Sequence, residues 1–483
     1  MERCVWSLIA AGALATPLLA QPNGSAALYP ELLRDDLEIW RTALHEAHPD
    51  PYRYVTRKDL DRTIDAVRDD IKVPMTASAF VQALRPVLDA IGDAHTRVAP
   101  PSYEQEYLQD QAPLIPLAVR VIDGGLYVEE ELKGFRSIPP GSLILSINGI
   151  PAGRIIEQLC ATIPTDAQNH TYRYRVLESQ FPELYHRVFE DKGPFEVHYR
   201  SVDGKEGRQQ IFALTGEEIR NTFRGADEVL SPWHAAYLPD HHSTWWTIRT
   251  FDAEELQEEG IRYERFIDGL RKDLRKNEVR TLVIDVRGAG GMELAMAEAV
   301  MSVIAQQPYR VVQDMMIRSV VPPTHYDLMT PLPEFYGTVD ANYLLGAHGT
   351  YNLRPDDPLT DLVEPSAKGF NGKVYVVCDG LTREAGASFV MMAKRSGRAR
   401  IVGEEVAGNT VSNCGGRELV LTAPNSKVRF HIPLIRYIHE GASTGPLDHG
   451  EMPHHPVSRT PRSLAGGRDH VKDVLLEMIF ELQ

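Results

Sequence analysis

Val374-Tyr375-Val376-Val377-Cys378-Asp379-Gly380-Leu381-Thr382-Arg383-Glu384-Ala385-Gly386-Ala387-Ser388-Phe389 reads as a strand, a turn and a helix in quick succession. The apolar run Val374 to Cys378 suits a strand covered on both faces, and Ala387 to Lys394 continues as a helix. A similar succession lies upstream. Thr281-Leu282-Val283-Ile284-Asp285-Val286 precedes the glycine-rich turn Arg287-Gly288-Ala289-Gly290-Gly291, and a helix is expected from Glu293 to Gln306. A further strand, Ala399-Arg400-Ile401-Val402, follows the second helix. Strand and helix alternating in this way argue for an α/β core. Within it, Glu384 stands at a helix N-terminus, where free N–H groups and the helix dipole favour negative charge.

Working outward, Leu28 to Ala90 is helical by pattern. Leu33, Leu37, Trp40 and Leu44 recur at helical spacing, Pro49 and Pro51 break the run, and new helices are expected near Thr56 and Thr76. From about Leu114 the pattern shortens to strands: Leu117 to Val121, Leu126 to Val128, and Ser142 to Ile147 closed by the turn Asn148-Gly149. The expected division is a signal segment over 1–20, a helical region over 21–108, a middle module over 109–215 and the α/β core over 216–483.

At 483 residues, with 43% hydrophobic and 24% charged positions, the composition is that of an ordinary globular protein. The net charge of -16, with no basic run, argues against nucleic acid or an anionic membrane surface as partner. Arg3, the apolar stretch Val5 to Ala15 and the small-residue end Pro17 to Ala20 have the three regions of a secretory signal. The stretch is short for a membrane span, so an exported protein without stable membrane insertion, periplasmic or extracellular, is expected. Cys160, Cys378 and Cys414 would then remain, an odd number without metal-ligand spacing, and they read as structural thiols. His45-Glu46-Ala47-His48 lacks the spacing that puts two imidazoles on one helical face and reads as a helix end, and no metal is assigned.

Four short motifs carry chemistry. Gly92-Asp93-Ala94-His95-Thr96-Arg97 closes the helical region; the second and third are the Asp285 to Gly291 turn and the Glu384 segment; the fourth runs from Gly403-Glu404-Glu405 through Gly408-Asn409-Thr410 to Gly415-Gly416 and on to Val428. In this order they resemble the C-terminal processing peptidases, or tail-specific proteases, and the tricorn-type core peptidases, a family of serine peptidases. The resemblance implies that His95 is the catalytic histidine and that residue 384 is the nucleophile position. It further implies oxyanion and substrate contacts from Gly288, Gly290, Gly291 and Ala385, and an acidic supporting group at Asp448, with Glu451 as the alternative. The lysine-dependent branch places its base in the Gly-Glu loop, where this chain has Asn409 and no lysine, which favours the histidine-dependent, tricorn-like branch. Ile138 to Gly149 resembles the family's PDZ-like module, and the implied core is a ββα superhelix of the crotonase and ClpP type. Hydrolysis of polypeptides without a cofactor follows from the resemblance.

Glu384 stands where that family has serine. A serine loses its proton to the histidine as it attacks, and neutral N–H donors receive the oxyanion. A carboxylate attacks only by way of an anhydride, and its charge opposes the oxyanion. Three routes remain: Ser388 acts one helical turn later, Glu384 activates a water beside His95, or the chain binds peptides without cutting them, as a pseudopeptidase engaging an extended chain by strand addition. Ala289 is a second departure, since the family often has asparagine in that turn.

Overall fold

The computed structural model describes residues 26–132, 136–224, 231–346, 349–441 and 449–481. The expected signal segment and Asp448 lie outside the described residues.

A mixed α/β fold is observed, and its centre is a six-stranded sheet. Trp233–Leu238 lies antiparallel to Ser243–Ile248; Thr281–Asp285, Lys373–Cys378, Arg400–Gly403 and His455–Pro456 then follow in parallel. Both faces are covered, which is why the two central strands read as continuous apolar runs. One face, with Trp246, Leu282, Ile284, Val376 and Ile401, packs against the helices Tyr263–Lys276, Leu294–Ile304 and Glu384–Arg395. The other, with Trp245, Val283, Tyr375, Val377 and Val402, is closed by Val471, Leu475 and Ile479 of the helix His470–Glu481. The helix expected over 293–306 is thus slightly shorter than its apolar pattern.

A second sheet carries the first strand after the histidine motif. Arg97–Ala99 pairs with the long strand Arg429–Ile438, which also pairs with Ser412–Thr422 and Asp314–Ile317. The N-terminal helices Pro30–Ala47, Arg57–Asp70, Ala77–Ala83 and Arg85–Ile91 join this sheet and the core in one hydrophobic cluster. Trp40 stacks on Phe430 at 4.9 Å, and the buried Asp36 accepts the N–H groups of Asn425 and Ser426 at 3.1 and 2.7 Å. These contacts tie the start of the described chain to the strand that runs past the site.

Residues 115–211 build a separate hydrophobic cluster around the strands Leu117–Ile122, Gly125–Glu131, Leu143–Ile147, Phe195–Arg200 and Glu206–Ile211. Three helices, Ala152–Cys160, His170–Ser179 and Phe181–Phe189, complete it. Asn148 and Gly149 both have positive φ, 47° and 78°, and form the tight turn between Ile147 and Ile150. At the neck of this module, Pro113–Leu114 pairs with Leu214–Thr215. Cys160, Cys378 and Cys414 are free and buried. No helix among the described residues is long and apolar enough to cross a membrane.

Candidate active site

Two turns meet at the C-terminal ends of neighbouring parallel strands, and Asp379 clamps them together. Its Oδ1 accepts the N–H of Gly288 at 2.8 Å and that of Leu381 at 3.0 Å, while Thr382 Oγ1 donates to Val286 O at 2.8 Å. Arg383 is the extended residue before the helix Glu384–Arg395, and Glu384 itself has φ 57°. A left-handed conformation at a non-glycine residue costs about 1–3 kcal/mol. It throws the Glu384 side chain out of the helix start and back over the glycine turn. Gly386 lets the helix approach that turn, since a Cβ there would come 2.9 Å from Ala289 O.

The glutamate fills the site it points into. Its Oε2 accepts the Gly291 N–H at 2.6 Å, and its Oε1 lies 3.3 Å from His95 Nε2. Gly291, at φ 112°, is the one residue type that fits, because a Cβ would run into the backbone of Phe251. The Arg383 guanidinium adds a looser contact, Nε to Oε1 at 3.7 Å. Burial alone would raise the Glu384 pKa; the hydrogen bond and charge of His95, with Arg383 and the Gly291 N–H, overcome it and bring it down to about 2. Burial would likewise lower the pKa of His95, yet Asp93 and Glu384 raise it to about 10. At neutral pH the pair is an imidazolium and a carboxylate.

Behind His95 the cluster continues inward. Asp93 Oδ1 accepts the backbone N–H of His95 at 3.2 Å and stays 3.8 Å from Nδ1, beyond hydrogen-bond reach, so it acts on the ring by charge. Its Oδ2 accepts from Thr96 Oγ1 at 2.6 Å and faces His48 Nε2 at 3.1 Å. His48 Nδ1 accepts the Asp50 N–H at 3.0 Å, so a neutral ring carries its proton on Nε2. Donor atoms of His48, Asp93 and Cys414 lie within 4.8 Å of one another, close enough to suit a metal. Both His48 nitrogens are already engaged, however, and the buried Arg53 sends Nη2 to Cys414 Sγ at 3.6 Å, placing a cation there already.

The remaining expected residues fall as follows. The Gly288 N–H is taken by Asp379, and Gly290 lies beneath the Arg383 guanidinium. Ala385 does not offer its N–H to the cleft: it donates to Gly291 O at 3.0 Å. The helix start is pinned to the turn, which consumes that donor. Ser388 is 3% exposed and borders a small space shared with Met292, Glu384, Asn413 and Tyr437. Glu451 is bonded to Lys394 at 2.5 Å and Arg395 at 3.3 Å, at the far end of the helix that Glu384 begins, so it does not support His95. Asn409 is buried and donates to Tyr54 Oη at 3.1 Å. Sequence reading missed His48, Arg53 and Asp166, the last a buried carboxyl from the middle module; only Asp93, within the histidine motif, gave a local hint of an acidic cluster. The open side of Glu384 is a cleft of about 780 Å³ lined by the glycine turn, Arg249, Arg383 and Arg417.

Comparison with known proteins bears on this geometry directly. Residues 247–439, which include both turns and the long strands, match the model of peptidase family S41. Over that stretch the chain resembles peptidase family S41. No curated protein sequence matches the chain. Among solved structures, mature CPAF is similar over 93% of this chain and 96% of its own, at 14% identity and a TM-score of 0.63. A CPAF complex with lactacystin gives 0.65, and a CPAF point mutant 0.68, each at 13% identity over 94% of this chain and 98% of the other. At such identities the likeness is one of fold. The family that this segment resembles is one of serine peptidases acting on polypeptides.

Proposed function

We propose that this chain binds polypeptides in an S41-type cleft and that Glu384 holds its catalytic centre shut. The observation that carries this reading is the double contact of one carboxylate: Oε2 on the Gly291 N–H and Oε1 against His95 Nε2. The same side chain thereby takes a donor suited to an oxyanion and the base suited to a hydroxyl. With His95 protonated to about pH 10 it accepts no proton at neutrality, and with its pKa near 2 Glu384 is too weak a base to activate water. Ser388 is buried, 3% exposed, which does not favour the route through its hydroxyl.

In this reading the chain follows the histidine-dependent, tricorn-like branch, with a PDZ-like middle module and a ββα superhelical core. Export to the periplasm or the cell exterior follows from the N-terminal signature. Strand addition along the cleft would hold an extended peptide.

The test is a pair of variants. The unaltered protein should not react with a fluorophosphonate probe and should leave an unstructured polypeptide intact. Glu384→Ser, once shown to fold, should gain labelling at residue 384 and cleave that polypeptide ~100-fold or more above the parent, and adding His95→Ala should abolish the gain. Labelling of the unaltered protein, or a folded serine variant inert against a broad peptide library, would overturn the closed-centre reading.

A further inference from the structure

Tyr437 lies near the end of the long strand Arg429–Ile438, and it borders both the open cleft and the small space beside Glu384. Its hydroxyl makes no hydrogen bond among the described residues. A partly buried phenol ordinarily finds a partner, so an unused one calls for a specific explanation. Burial raises its pKa, the charge of Arg417 works against that and the charge of Glu384 adds to it. The hydroxyl therefore keeps its proton at ordinary pH and is a standing donor.

The backbone beside it leaves that donor uncovered. The neighbouring strand Ser412–Thr422 shifts register between Gly415 and Glu418. Gly416, within the shift, has φ 72°, and a Cβ on it would run into Tyr437 Oη. One residue earlier, a Cβ on Gly415 would lie 3.5 Å from His95 Nε2. Two consecutive glycines thus carry the chain past the histidine of the site and past this phenol.

The glycine turn, meanwhile, is short of donors. A carbonyl oxygen that gains negative charge needs hydrogen-bond donors preorganised around it, and a tyrosine hydroxyl can be one of them. Four N–H groups were expected to face the cleft. The Gly288 N–H goes to Asp379, the Ala385 N–H goes to Gly291 O, and Gly290 is held in a bridge with Thr250. Of the four, the Gly291 N–H remains, and Glu384 covers it.

We propose that Tyr437 is a hydrogen-bond donor of the cleft, its hydroxyl binding a backbone carbonyl of the polypeptide on the far side from the glycine turn. In the unaltered chain, where Glu384 holds the Gly291 N–H, Tyr437 is the donor left for a bound polypeptide. In the Glu384→Ser protein, the Gly291 N–H and the Tyr437 hydroxyl serve the carbonyl oxygen together.

This inference rests on the polypeptide-binding reading above, and its test uses Tyr437→Phe, which removes one oxygen and no packing. In the unaltered chain the change should weaken binding of fluorescein-labelled β-casein, an unstructured polypeptide, by about 3- to 10-fold in fluorescence anisotropy. The denaturant midpoint should stay where it is, because the hydroxyl bonds nothing in the folded chain. In the Glu384→Ser protein the same change should cut kcat ~10²-fold with little change in KM, since the donor acts most strongly on the developing charge. Casein binding that Tyr437→Phe leaves unweakened overturns the proposal, whether or not the midpoint moves and even if Glu384→Ser cleaves. An unchanged kcat in the double variant overturns it as well. An inert Glu384→Ser whose parent still binds casein through Tyr437 overturns the closed-centre reading and leaves Tyr437 in its role.

Discussion

Asp285 and Asp166 are the same residue type at the same burial, each 1% exposed, and they live in opposite circumstances. Asp285 ends a central strand and gathers Arg249 and Arg287 around both oxygens, with Arg287 passing on to Asp469 at 2.8 Å. Burial works against its charge, but the guanidinium contacts outweigh it and hold its pKa down to about 2. Asp166 has no such bonds, and its pKa stands near 6. Burial by itself therefore says little about what an acid does. The saturated cluster braces the glycine turn, whereas the unsaturated one lies beside a backbone crossing, Ala167 N–H to Gly92 O.

The largest effect that would sharpen this contrast is Asp285→Ala, which leaves Arg249 and Arg287 without their shared partner. It should cost about 3–5 kcal/mol in denaturant unfolding, and a loss below ~1 kcal/mol would break the comparison. Asp166→Asn should move the other way, gaining about 1–3 kcal/mol at neutral pH, because the unbonded charge is gone. Their pH dependences should differ as well. Asp166, raised from 3.8 to about 6, contributes stability that is present below pH 3.8 and is lost as pH rises through 6. Asp285, lowered to about 2, contributes stability that is present above pH 3.8 and is lost as pH falls through 2. Between those limits the Asp166→Asn protein should show the flatter stability curve, and parallel curves for variant and parent would refute the assignment.

A smaller effect is expected at the ion pair itself. Glu384→Gln should lower the His95 pKa by about 1–3 units. Its stability deficit should be greatest between pH 4.5 and 6.5, where the raised histidine and the lowered glutamate both contribute, and should fade toward pH 10 and pH 2. Smallest of all, Ser388→Ala in the Glu384→Ser protein should leave probe labelling unchanged; loss of labelling would move the nucleophile to Ser388.

The core strands and their turns were legible in sequence because parallel strands covered on both faces are written as apolar runs, and glycines mark where the chain must turn tightly. The N-terminal helices were legible for the same reason in the period of Leu33, Leu37, Trp40 and Leu44. That His95 and residue 384 share one site was implied by the family resemblance, and the two side chains lie 3.3 Å apart. Other features depend on tertiary packing, which no local pattern encodes. Asp166 follows Ile163-Pro164-Thr165 in a stretch with no periodicity, and its meaning comes from the Ala167 to Gly92 crossing. The lost donor at Ala385 is equally invisible, since it depends on how closely the helix start meets Gly291. His48 read as a helix end, and the helix does stop at Ala47, but its burial against Asp93 is set by the fold.

The narrow neck at Pro113–Leu114 and Leu214–Thr215 brings the two ends of the middle module side by side. In topological terms the module is an insertion that a short splice could bridge, leaving the remaining strands in their order. Such a splice would also carry away the buried Asp166 and Asn169, and with Asn169 the bond that the module makes to Val406 O.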